Sequence, residues 1–286
     1  MNLEHLDEFL EAKNNLVKNT LSSYKTDLKQ FSMFYKKDIS ELDSEDIESY
    51  ITYLLGKGFK AKTINRKLTS LRRYVEYLNG SNKLENKVAL YIEGIKVQED
   101  YYIDPDKIIN INEFNRIAAQ AKKANDKRAI AIIYTLGYTG VRVSELLQLH
   151  TFQYKTGEVT VRGKGRKFRN VPIAEELIYH IDEYVKERRH KAGEPIFMNE
   201  RNNKVMSRQE INKIIKRYAG QARIKKTKVY PHAFRHLFCL TLSKDMPLDE
   251  VAALVGHSNI NTTRIYTKRT KEELKRSLKN SLKAFN

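Results

Sequence analysis

The sequence has few of the residues that crosslink or break a chain. Its 286 residues include one cysteine, 12 glycines and five prolines. The single Cys239 excludes an intrachain disulfide, and no Cys or His stands near it at zinc-site spacing. Lying between Phe238 and Leu240, it is expected to be a small buried side chain. With 41% apolar and 31% charged residues and no low-complexity run, the composition indicates a helix-rich globular protein.

Long apolar runs are also missing. No stretch approaches the roughly 18 consecutive apolar residues that cross a bilayer. The N-terminus, residues 1–9, is acidic and amphipathic, whereas a secretory signal begins basic and continues apolar. We therefore expect a cytoplasmic protein with no membrane partner.

Acidic residues are outnumbered by basic ones. There are 53 Lys and Arg against 35 Asp and Glu, a formal net charge of +18. Such a charge attracts polyanions over long range. A membrane surface is the alternative partner, but the basic residues are spread along the chain rather than clustered beside an apolar anchor. The charge favours nucleic acid.

The length and the pattern of apolar residues predict two domains. A single core rarely grows beyond about 250 to 300 residues. Residues 96–107 show no sustained period and contain the turn signal Asp104-Pro105. We predict a helical domain over residues 1–97, a linker over 98–107 and a second domain over 108–286.

Apolar spacing predicts helices in both domains and a small sheet in the second. The predicted helices of the first domain span residues 3–17, 21–35, 44–55 and 62–78. Those of the second span residues 112–122, 126–136, 143–149, 174–189, 207–222, 232–244, 248–255 and 270–282. Short strands are predicted at 152–155, 158–162 and 167–173. The fold class is mainly α, with a helical N-terminal domain and a mixed α+β second domain containing a small antiparallel sheet.

Two predicted helices carry many basic residues. They are Lys62, Arg66, Lys67, Arg72 and Arg73 in the fourth helix, and Arg208, Lys213, Lys216 and Arg217 in the helix after Ser207. A solvated helix face is the alternative interpretation. The total charge favours contact with DNA phosphates.

The second domain holds an ordered set of Arg, His and Tyr residues. They are Arg142 in Thr-Gly-Val-Arg-Val-Ser-Glu-Leu, His232 and Arg235 in Pro-His-Ala-Phe-Arg-His, His257 in Val-Gly-His-Ser, and Tyr266 in Thr-Arg-Ile-Tyr. A phosphodiester resists attack because the nucleophile and the pentacoordinate intermediate are both negative. Catalysis needs cationic donors, a nucleophile and an acid for the leaving oxygen. Arginine and histidine supply donors, and a tyrosine phenolate forms a covalent phosphotyrosine ester.

With Lys164 of Gly-Lys-Gly-Arg-Lys included, this order resembles the tyrosine recombinases, the family of Xer recombinases, phage integrases and transposon resolvases. The resemblance implies that Tyr266 attacks a scissile phosphate and that Lys164 protonates the leaving 5′ hydroxyl, although Lys167 on the same turn could reach instead. The residues that would hold the phosphate are Arg142, His232, Arg235 and His257.

The neighbours of this set have expected roles as well. Glu145 resembles the family acid that supports the active site from behind. Arg166 and Lys167 are candidate DNA contacts, although they and Arg169 could simply form a solvated hairpin. His236 is expected to be structural, packed behind Arg235.

The resemblance covers nearly the whole chain and implies a recombination reaction. The first domain resembles the core-binding domain, and the length leaves no room for the arm-binding domain of large phage integrases. A tetramer would clamp double-stranded DNA with paired half-sites and exchange strands through 3′-phosphotyrosyl and Holliday-junction intermediates. No cofactor is implied, and no carboxylate cluster or zinc-protease spacing indicates a metal.

The last predicted helix carries an apolar stripe of Leu274, Leu278 and Leu282, continued by Phe285. The resemblance implies that this helix docks on a neighbouring protomer, whereas packing on its own domain is the alternative.

Two other functions compete with recombination. A type IB topoisomerase uses similar chemistry as a monomer, and an accessory DNA-binding protein could keep the fold without the chemistry. The complete set of six residues disfavours the accessory protein, and the apolar last helix favours the recombinase. Dimer resolution, cointegrate resolution and integration all stay open as biological tasks.

Overall fold

The computed structural model describes residues 5–84, 92–97, 104, 106–163, 167–256 and 271–282. The predictions made for Lys164, Arg166, His257, Tyr266 and Phe285 lie outside these described residues. The chain divides into two compact units, Met1–Glu99 and Asp100–Asn286. The division falls within the residues for which a linker is predicted.

The first unit is a small helical domain. Its helices are α1 (Leu6–Ala12), α2 (Lys18–Phe34), α3 (Ser44–Gly56) and α4 (Ala61–Gly80), with a 3-10 turn at Ile39–Glu41. Asp43 caps α3 by accepting from the Asp46 backbone N–H at 2.8 Å. The core is rich in aromatic rings, and Phe9, Phe31 and Tyr50 are at most 1% exposed.

The first predicted helix is too long. We predict residues 3–17, but α1 ends at Ala12, and Val17 is instead the extended residue before α2. The backbone turns at this point, because the Leu16 N–H bonds to the Lys13 carbonyl at 2.9 Å. Asn14 and Asn15 favour such turns, and Val17, the last residue of the predicted helix, is 62% exposed.

The second unit is built around one buried helix. It contains α5 (Ile111–Lys123), α6 (Lys127–Thr139), α7 (Val143–Leu146), β1 (Glu158–Arg162), β2 (Phe168–Pro172), α8 (Glu175–Arg188), α9 (Arg208–Gln221), α10 (Pro231–Leu242), α11 (Leu248–Val255) and α12 (Lys271–Leu282). Every residue of α6 from Ala129 to Leu136 is buried. A helix that is apolar all round belongs in a core, and α6 contacts α5, α8 and α10.

Strands β1 and β2 form an antiparallel hairpin in which Glu158 pairs with Pro172 and Arg162 with Phe168. The strand predicted at residues 152–155 is wrong, since this segment is a turn followed by a 3-10 helix at Tyr154–Thr156. Its aromatic residues suggest a strand. Local bonds favour the turn, because the Gln153 side chain accepts from the His150 N–H at 3.1 Å.

The fold class is confirmed: the structure is 61% helical, with a small two-stranded antiparallel sheet. Cys239 is fully buried, as the sequence predicts. None of the helices in the described part of the chain has the length and apolar content needed to cross a membrane.

Candidate active site

The turn between α6 and α7 places Arg142. Gly140 ends α6 with a left-handed φ of 57°. A Cβ at this glycine would lie 2.5 Å from Cδ1 of Phe238, so both the backbone conformation and the packing favour glycine. The chain then extends through Arg142, which stands immediately before α7.

Glu145 holds Arg142 in two ways. Its Oε1 accepts from Nη1 of Arg142 at 2.9 Å, and its Oε2 accepts from the Arg142 backbone N–H at 2.9 Å. The Glu145 side chain is 1% exposed, whereas that of Arg142 is 32% exposed. The guanidinium therefore lies at the surface, fixed from below by a buried carboxylate.

The charge of Glu145 is stabilised by its surroundings. Burial raises the pKa of its carboxyl, but the backbone N–H of Arg142 and the charges of Arg169 and Arg142 outweigh burial, so the pKa is below its usual value. Glu145 is therefore an anion at neutral pH, and it holds Arg142 by charge as well as by geometry.

Arg169 also bonds Glu145, a contact that the sequence reasoning missed. Its Nη2 donates to Glu145 Oε2 at 2.9 Å, and its side chain is only 12% exposed. The solvated-hairpin interpretation is therefore wrong for this residue. Strand alternation could have found it, because Arg169 shares a face with the buried Val171 and pairs with the buried Val161.

Arg235 lies deeper than Arg142. It is 0% exposed, and its Nη1 donates to the Gly140 carbonyl at 2.8 Å. Its Nη2 donates to the Val255 carbonyl at the end of α11. The guanidinium thus joins two chain segments, one leading within two residues to Arg142 and the other leading within two residues to His257.

His232 lies one helical turn before Arg235 near the start of α10, where Pro231 is the first helical residue. Its pKa is lowered by desolvation, and then by the charges of Arg235 and Arg142. The residue is exposed to solvent, so its desolvation is partial. Since Arg235 on the same helix bonds the Gly140 carbonyl, α10 holds His232 and Arg235 against the turn that leads to Arg142.

His236 is partly buried on the same helix. Burial, followed by His232, lowers its pKa to about 4. At neutral pH this imidazole is uncharged, in agreement with the structural role expected for it.

The hairpin turn after β1 carries the candidate acids. The Gly163 N–H donates to the Lys167 carbonyl at 2.8 Å, which closes the turn, and Lys167 is exposed. Gln148, just after α7, bonds the backbone N–H and carbonyl of Arg162 at 3.1 and 3.2 Å. The base of the turn is therefore tied to the segment that carries Arg142.

The basic residues of α4 differ in their surroundings. Lys62, Arg66 and Arg73 are exposed. Lys67, named above as a candidate DNA contact, points into the domain instead, because it is 5% exposed and its Nζ lies 3.1 Å from Oδ1 of the buried Asp27. Arg72 is partly buried and donates to the Ile92 carbonyl.

The α9 candidates lie mainly on its open side. Arg208, Lys213 and Arg217 are exposed, and Lys216 is partly so. Within the described ranges, no three His, Cys, Asp or Glu side chains are grouped as metal ligands.

Known families match both parts of the chain. The profile of the "Phage integrase family" matches residues 103–273, and that of the "Phage integrase, N-terminal SAM-like domain" matches residues 3–80. The TnP I resolvase of Bacillus thuringiensis is 31% identical over 280 residues, which cover 93% of this chain and 95% of the resolvase. The tyrosine recombinase XerD of Shewanella oneidensis is 31% identical over 281 residues, covering 92% and 91% of the two chains.

Solved structures share the fold. The crystal structure of a XerA recombinase is 25% identical, has a TM-score of 0.55 and covers 97% of this chain and 98% of that chain. A XerH site-specific recombinase bound to palindromic difH substrate in a post-cleavage complex has a TM-score of 0.75 at 22% identity, covering 97% and 84%. Together with the two family matches, these similarities show that the chain belongs to the phage integrase family and is a tyrosine-type site-specific DNA recombinase.

Proposed function

We propose that this recombinase cleaves DNA by attack of Tyr266 on a phosphate held by Arg142, His232, Arg235 and His257. The observation that carries the proposal is the position of Arg235, which lies one helical turn after His232 and donates to the Gly140 carbonyl, two residues before Arg142, at 2.8 Å. Attack by the phenolate would leave the DNA 3′ phosphate on Tyr266 and a free 5′ hydroxyl. The phosphotyrosyl ester keeps the bond energy for rejoining.

The described residues have distinct roles in this reaction. Arg142 is the cation that the DNA phosphate can reach, and the buried Glu145 fixes the orientation of its guanidinium. Desolvation, followed by the charges of Arg235 and Arg142, lowers the pKa of His232 and so favours its neutral form. It therefore offers phosphate a hydrogen bond with little added charge, while the arginines supply the charge that stabilises the pentacoordinate intermediate.

We assign protonation of the leaving 5′ oxygen to Lys164, with Lys167 as the alternative. A 5′-bridging sulfur substrate separates them, because a thiolate leaves without an acid. It should rescue cleavage by Lys164→Ala, with Lys167→Ala as the matched comparison. If the sulfur substrate rescued Lys167→Ala alone, Lys167 would be identified as the general acid.

Recombination in our proposal takes place in a tetramer that exchanges strands through a Holliday junction. The apolar stripe of α12 supports self-association, since Leu274, Leu278 and Leu282 are 41%, 60% and 52% exposed. An exposed apolar patch is typical of a protein–protein interface. The duplex would be held by the basic residues of α4, α9 and the hairpin, where Arg166 joins Lys167.

The proposed task is integration or transposition of DNA elements, or resolution of elements or replicon dimers, in the cytoplasm. The similarity to the TnP I resolvase and to XerD supports this range of tasks. No nucleotide takes part in the proposed steps, because the tyrosine ester itself stores the energy of the broken bond. No metal takes part either, because the cationic side chains supply the charge stabilisation.

A trapping experiment tests the proposed nucleophile. The substrate is a duplex that the wild-type chain selects from a random pool, nicked just 3′ of the mapped cleavage position so that the short fragment diffuses away. Wild type should form a covalent protein–DNA adduct, and Tyr266→Phe should form none while still binding the duplex. An adduct with Tyr266→Phe would show that the nucleophile lies elsewhere.

A further inference from the structure

Arg169 occupies an unusual position for an arginine on a hairpin. Its guanidinium lies behind the site, with Nη2 donating to Glu145 at 2.9 Å and Nη1 donating to the Leu254 carbonyl at 2.5 Å. One side chain of β2 is thus bonded to the carboxylate that holds Arg142 and to the last turn of α11.

The end of α11 is fitted to this side chain. Gly256 follows α11 with a left-handed φ of 68°. A Cβ there would lie 2.6 Å from Cδ of Arg169 and 2.9 Å from its Nε. The glycine therefore lets the backbone pack directly on the arginine, one residue before His257.

Glu145 is shared between two arginines. Oε1 faces Arg142 and Oε2 faces Arg169, while the carboxylate is 1% exposed. Because water does not reach this carboxylate freely, Arg169 is its second cationic partner and limits how it can turn. Without Arg169, only the side chain and backbone of Arg142 would hold the Glu145 carboxylate. The carboxylate could then turn, and the orientation of the Arg142 guanidinium would change as a result.

The bonds of Arg169 to Glu145 and Leu254 argue against direct contact of its guanidinium with the phosphate. Both terminal nitrogens already donate to protein acceptors, and only 12% of the side chain is exposed. Arg169 therefore acts on the phosphate indirectly, through the protein groups that it bonds.

We propose that Arg169 is a positioning residue that couples the end of α11 to Arg142 through Glu145, so that the Arg142 guanidinium is held in the orientation that binds the phosphate. This inference rests on the proposed roles of Arg142, His257 and Tyr266. Arg169 makes no contact with the reacting atoms in this scheme.

A double-mutant cycle tests the coupling. The rate of adduct formation at saturating DNA is measured on the nicked, selected duplex for wild type, Arg169→Ala, Glu145→Gln and the double variant. We expect Arg169→Ala to lose on the order of tenfold to a hundredfold in rate, the range seen when residues that orient site ligands are removed. The dissociation constant for DNA should change by less than about twofold, because binding is spread over many phosphates.

The cycle distinguishes positioning from a general loss of stability. If Arg169 acts through Glu145, the double variant should cleave no more slowly than the slower single variant. Arg169→Lys should recover part of the rate, because lysine keeps a charge beside Glu145 but cannot bond both acceptors. Should Arg169→Ala not fold, the same cycle is run with Arg169→Lys and judged by the same criterion.

A matched control is available in the same unit. Arg128 pairs with Glu200 at 2.7 Å, and because the Glu200 side chain is 61% exposed this ion pair is more open to solvent than that of Arg169. Arg128→Ala removes an arginine–carboxylate pair that does not involve Glu145 and should keep the wild-type rate. Multiplicative losses in the double variant, or an unchanged rate with only a lower melting temperature, would overturn the proposal. An adduct with Tyr266→Phe would contradict the proposed nucleophile but leave the Arg169–Glu145 coupling measurable, so the two failures are distinguishable.

Discussion

The two described arginines of the site are held differently, and this difference decides which substitution is informative. Arg142 keeps 32% of its side chain exposed and bonds Glu145, whereas Arg235 is fully buried and bonds two carbonyls. Removing Arg235 would leave those carbonyls without a donor and would affect the fold as well as the chemistry. Arg142 gives the cleaner test of phosphate stabilisation.

Replacing Arg142 by alanine should slow chemistry far more than it weakens binding. We expect the cleavage rate at saturating DNA to fall by about a hundredfold to a thousandfold, the usual effect of losing one donor to a developing anion. The DNA dissociation constant, measured by gel shift, should stay close to that of wild type, because many phosphates share the binding. An equal loss of binding and cleavage would assign Arg142 to anchoring instead.

His236 should make the fold sensitive to acid. Its folded-state pKa of about 4 lies below the ordinary 6.5, so between these values the unfolded chain binds more protons. The free energy of unfolding is therefore highest above about pH 6.5 and falls as the pH drops towards 4. His236 alone should lower it by about 2 kcal/mol between pH 7 and pH 5. Urea unfolding of wild type and His236→Gln measures it. The variant should lose less free energy of unfolding on acidification, and equal losses would contradict the assignment.

At the residue scale, sequence order identifies the set but does not reveal how its members are supported. Arg142 and Glu145 are predictable as a pair because they lie three residues apart. Arg169 bonds Glu145 across 24 residues, and Lys67 bonds Asp27 across 40. Such contacts depend on tertiary packing, which periodicity alone does not encode. Both residues therefore look like surface cations in the sequence.

Among the secondary-structure elements, long periodic helices are predicted well and short segments are not. Helix α4 spans Ala61–Gly80, close to the predicted residues 62–78, because its apolar positions recur over five turns. The errors at Val17 and at residues 152–155 come from short apolar or aromatic runs. Turn bonds to nearby backbone groups outweigh the local pattern there.

Helix α4 offers a direct comparison between a buried and an exposed lysine. Lys67→Met should lower the free energy of unfolding by about 1 to 3 kcal/mol, because Asp27 loses a buried charged donor while Arg66 and Ser70 still bond it. Lys62→Met, on the exposed side, should change stability by less than about 0.5 kcal/mol. Urea unfolding of both variants gives the comparison.

In DNA binding, Lys62→Met should have the larger effect of the two variants and Lys67→Met the smaller. Lys62→Met should weaken binding and reduce the dependence of log Kd on log salt by about one unit, as expected for a lost phosphate contact. Lys67→Met should leave that slope unchanged in the folded protein. A reduced slope for Lys67→Met alone would contradict the assignment of Lys67 to the interior.

For the whole molecule, the exposed stripe of α12 is the feature that bears on assembly. Leu278→Gln should leave binding of a single half-site unchanged but reduce formation of the multi-protomer DNA complex, because the apolar contact that drives docking is removed. Arg276→Gln is the matched control on the same helix, also at an exposed position. Native gel shift on single and paired half-sites measures both species. Equal assembly by both variants would show that α12 does not join protomers.

The family and its reaction are predictable from the whole sequence because few folds require Arg, Lys, His-x-x-Arg, His and Tyr in this order. The order of these residues in the sequence does not determine the distances between them in the folded chain. The convergence of Arg142, His232 and Arg235 depends on the left-handed turn at Gly140 and on the bonds of Arg235 to the ends of α6 and α11. Those contacts form only in the folded domain.

The most direct test of the central claim is the chemical identity of the protein–DNA bond. The trapped wild-type adduct is digested with protease and nuclease, and the linked peptide is sequenced by mass spectrometry. We predict a phosphodiester between Tyr266 and the 3′ end of the cleaved strand, with a free 5′ hydroxyl on the released fragment. A linkage to another residue, or a tyrosine joined to a 5′ phosphate, would contradict the account.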